Sequence, residues 1–282
     1  MEEKFEKYNN KARIIILGEV GCGKSYFINQ LYNFNSANSD NLFEETCSSD
    51  FFDNNKILSI KKNIKKNAKL NNISFDIYEI AGFNPCFEYN QNDVEGITKD
   101  LNTIITNLSF NFIFIVINIR NDFVDIFKMI FNSFEILNEN VLYIILNKGD
   151  KCNSIEERDK LYDQIMDYLK NDLIKKAKIK INLNNVFKFD KNIMNDSLNE
   201  INKKIEIEEL KKNNGKILIK RNCNLVKLFL GKENDGQSSS SSSSSSFGSK
   251  KEEEETKSTS FLDKIINFIN ENDFFKSPDT II

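Results

Sequence analysis

Arg13-Ile14-Ile15-Ile16-Leu17 runs directly into Gly-Glu-Val-Gly-Cys-Gly-Lys-Ser at positions 18–25, and this junction constrains the chain more than any other stretch. A short, continuous run of β-branched residues reads as a strand buried on both faces. Lys24–Tyr32 follows as a helix. The turn between them fits G-x-x-x-x-G-K-[ST]. Its glycines open backbone torsions closed to other residues, so successive N–H groups can face one concavity. The helix start adds partial positive charge at the same point. Such a cradle is built for phosphate, and the residues that would form it are Gly18, Glu19, Val20, Gly21, Cys22, Gly23, Lys24, Ser25 and Tyr26. Lys24 supplies a point charge to β- and γ-phosphates, and the Ser25 hydroxyl is a ligand for Mg²⁺. Cys22 sits at a helix start, which favours thiolate and would allow a redox gate; the simpler reading is a small filler residue.

Strands and helices then alternate. Phe34–Asp53 is polar and irregular and reads as a loop. Lys56–Ile64 and Ile73–Ile80 read as strands joined by the polar Asn67–Asn72 segment, and Gly82–Asp93 as a loop. Val94–Leu108, Asp122–Leu137, Ile155–Lys176 and Ile193–Lys212 carry helical character, while Phe112–Asn118, Val141–Leu146 and Val186–Phe189 are strands. This predicts an α/β fold over residues 11–212: three layers, a mostly parallel sheet with helices on both faces. Lysines 56, 61, 62, 65, 66 and 69 crowd one segment, and a solvated hairpin accounts for them better than a patch for acidic partners or lipid headgroups.

The chain has no histidine. Ser-His-Asp and Cys-His catalysis and histidine-held zinc or haem are therefore excluded. Chemistry must run on backbone amides, carboxylates, lysines, hydroxyls and a hard cation. Five scattered cysteines give neither a CxxC spacing nor a disulfide framework, which fits a reduced, cytoplasmic setting. Residues 1–11 are charged and lack an apolar signal core, and no run reaches the length of a membrane span. A net charge of −3 implies no bulk attraction to nucleic acid or anionic membrane.

A second motif, Asn147-Lys148-Gly149-Asp150, closes the strand Val141–Leu146. Ligands of open α/β sheets gather outside such strand ends. The Asp150 carboxylate can accept two hydrogen bonds from the N1–H and exocyclic amine of guanine. Adenine offers a lone pair at N1 and no amine at C2, and a buried group left unpaired costs about 1–3 kcal/mol. Asn147 can brace the loop, and the Lys148 stem can lie across the base. GTP or GDP is the expected ligand.

Together these residues resemble the translation-factor-related GTPases. Within them the chain is most similar to the avirulence-induced, immunity-associated (AIG-type, GIMAP-like) GTPases, relatives of septins and chloroplast-import receptors. The resemblance is carried by Leu17–Ser25, Thr46-Cys47, Glu79-Ile80-Ala81-Gly82-Phe83 and Asn147–Asp150. It implies that Thr46 is the switch residue sensing Mg²⁺ and the γ-phosphate, though a plain surface threonine fits the sequence equally well. It implies that Gly82 offers its N–H to the γ-phosphate, alongside Lys24 and Glu79 as the hydrolytic group. Two departures fall on this side of the site. Glu79 stands where the family's D-T-P-G carries aspartate, and Phe83 stands where some small GTPases orient water with glutamine. Slow intrinsic hydrolysis, raised by a nucleotide-dependent homodimer, is the expectation; a non-hydrolysing, GTP-binding scaffold is the alternative. No residue near Lys188–Asp190 is recognisable as the loop that backs the base.

Beyond the helix ending at Lys212, residues 213–232 are a basic, apolar extension of ambiguous period. Residues 233–260 hold the tract Ser238–Ser246 and then Lys-Lys-Glu-Glu-Glu-Glu, a composition that predicts a disordered linker. In 261–282, Phe261, Leu262, Ile265, Ile266 and Ile269 recur at helical spacing. Asp263, Glu271 and Asp273 outweigh Lys264 there, so docking on the globular part or on a protein partner is favoured over peripheral contact with a membrane.

Overall fold

The computed structural model describes residues 12–35, 42–43, 64–70, 73–83, 91–206, 215–220, 223 and 225–229, all within one compact unit that ends at Glu233. Six strands form the main sheet: β1 (Ala12–Gly18), β2 (Ile64–Leu70), β3 (Ile73–Glu79), β4 (Phe112–Asn118), β6 (Leu142–Asn147) and β7 (Val186–Phe189). Their order is β2-β3-β1-β4-β6-β7. β2 runs antiparallel to β3, and every other neighbouring pair is parallel. The predicted α/β architecture is present, with the strand order of a Ras-like P-loop fold.

β1 lies mid-sheet because its residues 14–17 have no exposed surface, and only a strand covered on both faces can carry such a run. Alternate residues serve the two faces. Ile14 and Ile16 join a core with Phe114, Phe189, helix α1 (Lys24–Asn35) and helix α5 (Met194–Lys204). Phe27 of α1 anchors it, meeting Phe114 at 5.0 Å and Phe189 at 5.2 Å, both edge to face. Helices α2 (Gln91–Asn107), α3 (Phe123–Ser133) and α4 (Ile155–Tyr168) complete the layers. Asp122 caps α3 through the N–H groups of Val124 and Asp125, and Ser154 caps α4 through Glu157.

Several boundaries differ from the sequence reading, each for a non-local reason. The joining segment expected over Asn67–Asn72 begins as strand: β2 runs Ile64–Leu70; of the strand expected over Lys56–Ile64, residues 56–63 lie outside the described residues. Asn67 faces Asp76 across the antiparallel ladder. Lys65, Lys66 and Lys69 stand on this edge strand as a partly solvated hairpin, and charged edges discourage further strand pairing. Lys65 pairs with Asp76 at 2.9 Å.

The helix expected to reach Leu137 stops at Ser133. Phe134–Ile136 is strand β5, paired antiparallel with β8 (Ile217–Ile219). That partner lies some eighty residues downstream, so local periodicity could not reveal it. Ile155–Lys176 is helical throughout, but its last eight residues wind wider as a π-helix, with Ala177 N–H reaching Asp172 O at 2.9 Å. The ambiguous basic stretch supplies β8 and a short helix α6 (Val226–Phe229), whose Val226, Leu228 and Phe229 are buried. Among the described residues no helix is long and apolar enough to cross a membrane.

Replacing Phe27 by alanine empties the centre of the aromatic core. Such losses cost about 3–5 kcal/mol, so the urea midpoint of Phe27→Ala should fall steeply with an unchanged slope.

Candidate functional site

The carboxyl ends of β1, β3, β4 and β6 place four loops beside one another, and the candidate residues sit on them. In the cradle, Gly18, Gly21 and Gly23 all have positive φ. At Gly23 a side chain is excluded twice over: φ is +96°, and a Cβ would collide with the Asn147 amide nitrogen. Lys24 is buried, its ammonium donating to the carbonyls of Gly18 at 3.2 Å and Glu19 at 2.8 Å. Those two bonds hold the charge inside the loop. Tyr26 packs its ring on Phe189 and donates its hydroxyl to Met194 Sδ, so what it can offer a ligand is its backbone amide.

Cys22 has no exposed surface, and burial pushes its thiol up despite the pull of Lys24. The thiolate expected from the helix start is therefore disfavoured, and the residue acts as a filler in the core. Desolvation outweighs the helix-end charge here.

On β3, the Ser25 hydroxyl donates to Glu79 Oε1 at 2.6 Å. Glu79 Oε2 is buried without a hydrogen-bond partner. A carboxylate oxygen in that condition fits a cation, and Ser25 with Glu79 is the donor pair that can hold Mg²⁺. Among the described residues no cage of three or more metal-binding side chains exists. Thr46, the other expected metal ligand, lies outside the described residues.

Gly82 and Phe83 are zipped to the cradle. Phe83 N–H donates to Gly18 O at 3.1 Å, and Val20 N–H donates to Phe83 O at 2.9 Å. Gly82 is pressed on Val20, where a Cβ would come within 2.6 Å of backbone atoms. The Phe83 ring is fully buried between Phe229 and Phe134, 5.7 Å and 6.1 Å away. It faces the interior, not the cradle.

Asn147 joins the two motifs. Its amide nitrogen donates to Cys22 O at 2.9 Å, and its Oδ1 accepts the Lys148 N–H at 2.8 Å. Lys148 adopts a left-handed conformation at φ +66°, and Gly149–Lys151 forms a single 3₁₀ turn. Asp150 is partly exposed, with Lys151 3.8 Å away.

The structure also gives one cradle residue a contact that the motif did not indicate. Glu19 is buried and accepts from Asn121 Nδ2 at 2.7 Å, tying the loop after β4 to the cradle. Buried carboxylates are rare unless paired, but nothing local in the sequence distinguishes Glu19 from a surface loop residue.

No protein-family model matches the chain, nor does any curated protein. Solved structures with a similar course include Toc33 from Arabidopsis thaliana in complex with GDP and Mg²⁺, at 12% identity over 78% of this chain and 92% of that one, TM-score 0.46. A probable GTP-binding protein, engB, aligns at 14% identity over 72% of this chain and all of its own, TM-score 0.40. These likenesses are remote.

Native protein treated with iodoacetamide at neutral pH should leave Cys22 unmodified while, among the described cysteines, Cys152 and Cys223, both partly exposed, react ahead of it; peptide mass spectrometry reads the order.

Proposed function

We propose that this chain binds GTP and GDP with Mg²⁺ and works as a slow GTP-hydrolysing switch. The observation that supports the proposal is the Asn147–Cys22 hydrogen bond, which ties the Asn147–Asp150 turn to the Gly18–Ser25 loop as one nucleotide spanning both motifs would require. Backbone amides of Gly21–Tyr26 and the Lys24 ammonium would take the β- and γ-phosphates. Ser25, Glu79 and Thr46 would hold Mg²⁺, which supplies charge neutralisation between those phosphates when bound. Gly82 would turn its N–H to the γ-phosphate. Asp150 would accept from the guanine edge, with the Lys148 stem over the ring.

Slow turnover follows from Phe83. A fully buried phenyl ring cannot orient an attacking water, and proximity effects of that kind are worth several orders of magnitude. A group supplied in trans by a nucleotide-dependent homodimer would restore part of the rate. Within the P-loop GTPases we place the chain nearest the AIG-type branch, on the motifs at Leu17–Ser25, Glu79–Phe83 and Asn147–Asp150. The segment 261–282 is suited to a protein partner, and the setting is cytoplasmic. The second reading, a non-hydrolysing scaffold, is favoured by the same buried Phe83.

Fluorescent GDP should bind with Mg²⁺ dependence and exclude ADP. Asp150→Ala should lose at least about tenfold in GDP affinity and little in ADP affinity, whereas Lys24→Ala should weaken both. Equal wild-type affinity for the two nucleotides would sink the guanine assignment. Multiple-turnover phosphate release, rising per molecule as protein concentration rises, separates the switch from the scaffold; no release at any concentration leaves the scaffold.

A further inference from the structure

Beneath Gly149 lies a buried polar cluster with no part in the phosphate chemistry. Tyr162, buried on α4, donates its hydroxyl to Asp190 Oδ2 at 3.1 Å. Asp190 follows β7 directly and has no exposed side-chain surface; its Oδ1 accepts the Asn192 N–H at 2.9 Å. Arg158, one turn before Tyr162, stands 3.7 Å from Asp190 Oδ2. The Lys188 ammonium lies over the Tyr162 ring at 4.7 Å. Gly149 rests directly on this group: a Cβ there would collide with the Tyr162 hydroxyl and stand 3.1 Å from Asp190 Oδ2.

Only Asp190 is fully buried here, since Arg158 is partly exposed and pairs more closely with Asp159 at 3.0 Å, and burying a carboxylate is a poor way to gain stability. What such a network does provide is a fixed position, because each member has few geometries that satisfy its partners. The neighbour that needs a fixed position is Asp150. Guanine discrimination requires both of its carboxylate oxygens to meet the base edge within hydrogen-bond tolerance. Its own side chain has Lys151 at 3.8 Å as its charged partner, which is too long to orient it. The backbone beneath must do so, through the 3₁₀ turn closed by Lys151 N–H to Lys148 O at 3.1 Å and Cys152 N–H to Gly149 O at 3.2 Å. That turn is held on one side by Asn147 and stands, at Gly149, on the Tyr162–Asp190 pair.

We infer that Tyr162, Asp190 and Arg158 form a polar floor that sets the height and tilt of the Asn147–Asp150 turn, and are positioning residues for guanine selection. They take the place of the base-backing loop that the sequence does not show near Lys188–Asp190. The inference rests on the guanine reading above. Burial, reinforced by the Asp190 carboxylate, pushes the Tyr162 phenol up, so its hydroxyl stays a donor throughout the working pH range.

The test uses the full chain with Mg²⁺ and fluorescent GDP, IDP and ADP. IDP lacks the 2-amino group that one Asp150 oxygen would accept from, so the GDP-to-IDP affinity ratio reports how well that carboxylate is placed. Tyr162→Phe keeps the ring and removes the hydroxyl; Asp190→Asn keeps the shape and removes the charge. Each should narrow the ratio by about fivefold, the worth of one hydrogen bond, while ADP affinity changes by less than about twofold. A merely structural cluster would lower the melting temperature and leave the ratio where it was, and that result in both variants overturns the inference. A wild type that binds GDP and ADP alike removes the guanine reading, and this inference with it.

Discussion

Every hydrogen-bonding group of the Asn147 side chain, and its carbonyl, is committed to a different loop. The amide nitrogen reaches Cys22 O in the cradle, Oδ1 takes the Lys148 N–H of its own turn, and the backbone carbonyl takes Ile119 N–H after β4. Three loops from three parallel strands are thereby set relative to one another by one buried amide. Aspartate would lose the donor, and leucine of similar size would keep only the shape and the backbone bond to Ile119. An unpaired buried carbonyl costs about as much as several surface contacts give. The demand also spreads: the amide occupies the space where a Cβ at position 23 would stand, so glycine there is required by Asn147 as well as by its own φ.

How legible the site was follows from how local its causes are. The cradle was readable because backbone amides converge only when glycine recurs at fixed offsets before a helix. The strand Phe112–Asn118 was readable to the residue because an all-apolar run between polar turns admits little else. Residues 67–70 were read as a connector because an exposed edge strand carrying lysines has no clear apolar period; their register comes from pairing with β3. The α3 boundary failed for the same reason in reverse. Phe134 and Leu137 continue a helical apolar spacing, yet β8 offers Phe134–Ile136 a ladder that the helix cannot match.

The polar residues that escaped notice share one property. Tyr162 and Asp190 are ordinary residue types at ordinary positions, and only the fold shows that their polar atoms are buried against each other. Sequence pattern reports where apolar groups must go; it is silent on which polar groups have been carried inside with partners. Cys22 shows how the fold decides between two local readings, in favour of the filler. Its place at a helix start favours thiolate, but complete burial reverses the sign, and burial is again a property of the whole fold.

The two halves of the site also tolerate change differently. On the proposed reading, base and phosphate recognition would depend on atoms whose directions are fixed by backbone, at Gly18–Ser25 and Asn147–Asp150. The metal side depends on reach along a flexible side chain, where glutamate can stand for aspartate. In Glu79 the extra methylene brings Oε1 onto the Ser25 hydroxyl at 2.6 Å and leaves Oε2 buried and unpartnered. One oxygen of the carboxylate is thus spoken for by the serine that would share the cation with it, and the other is held ready. Phe83 follows the same logic from the opposite direction: once its ring is locked between Phe134 and Phe229, the loop carrying Gly82 gains a fixed seat against Val20 and gives up any side chain that could hold water. The packing therefore fixes the backbone of this loop and leaves its chemistry to the amide of Gly82.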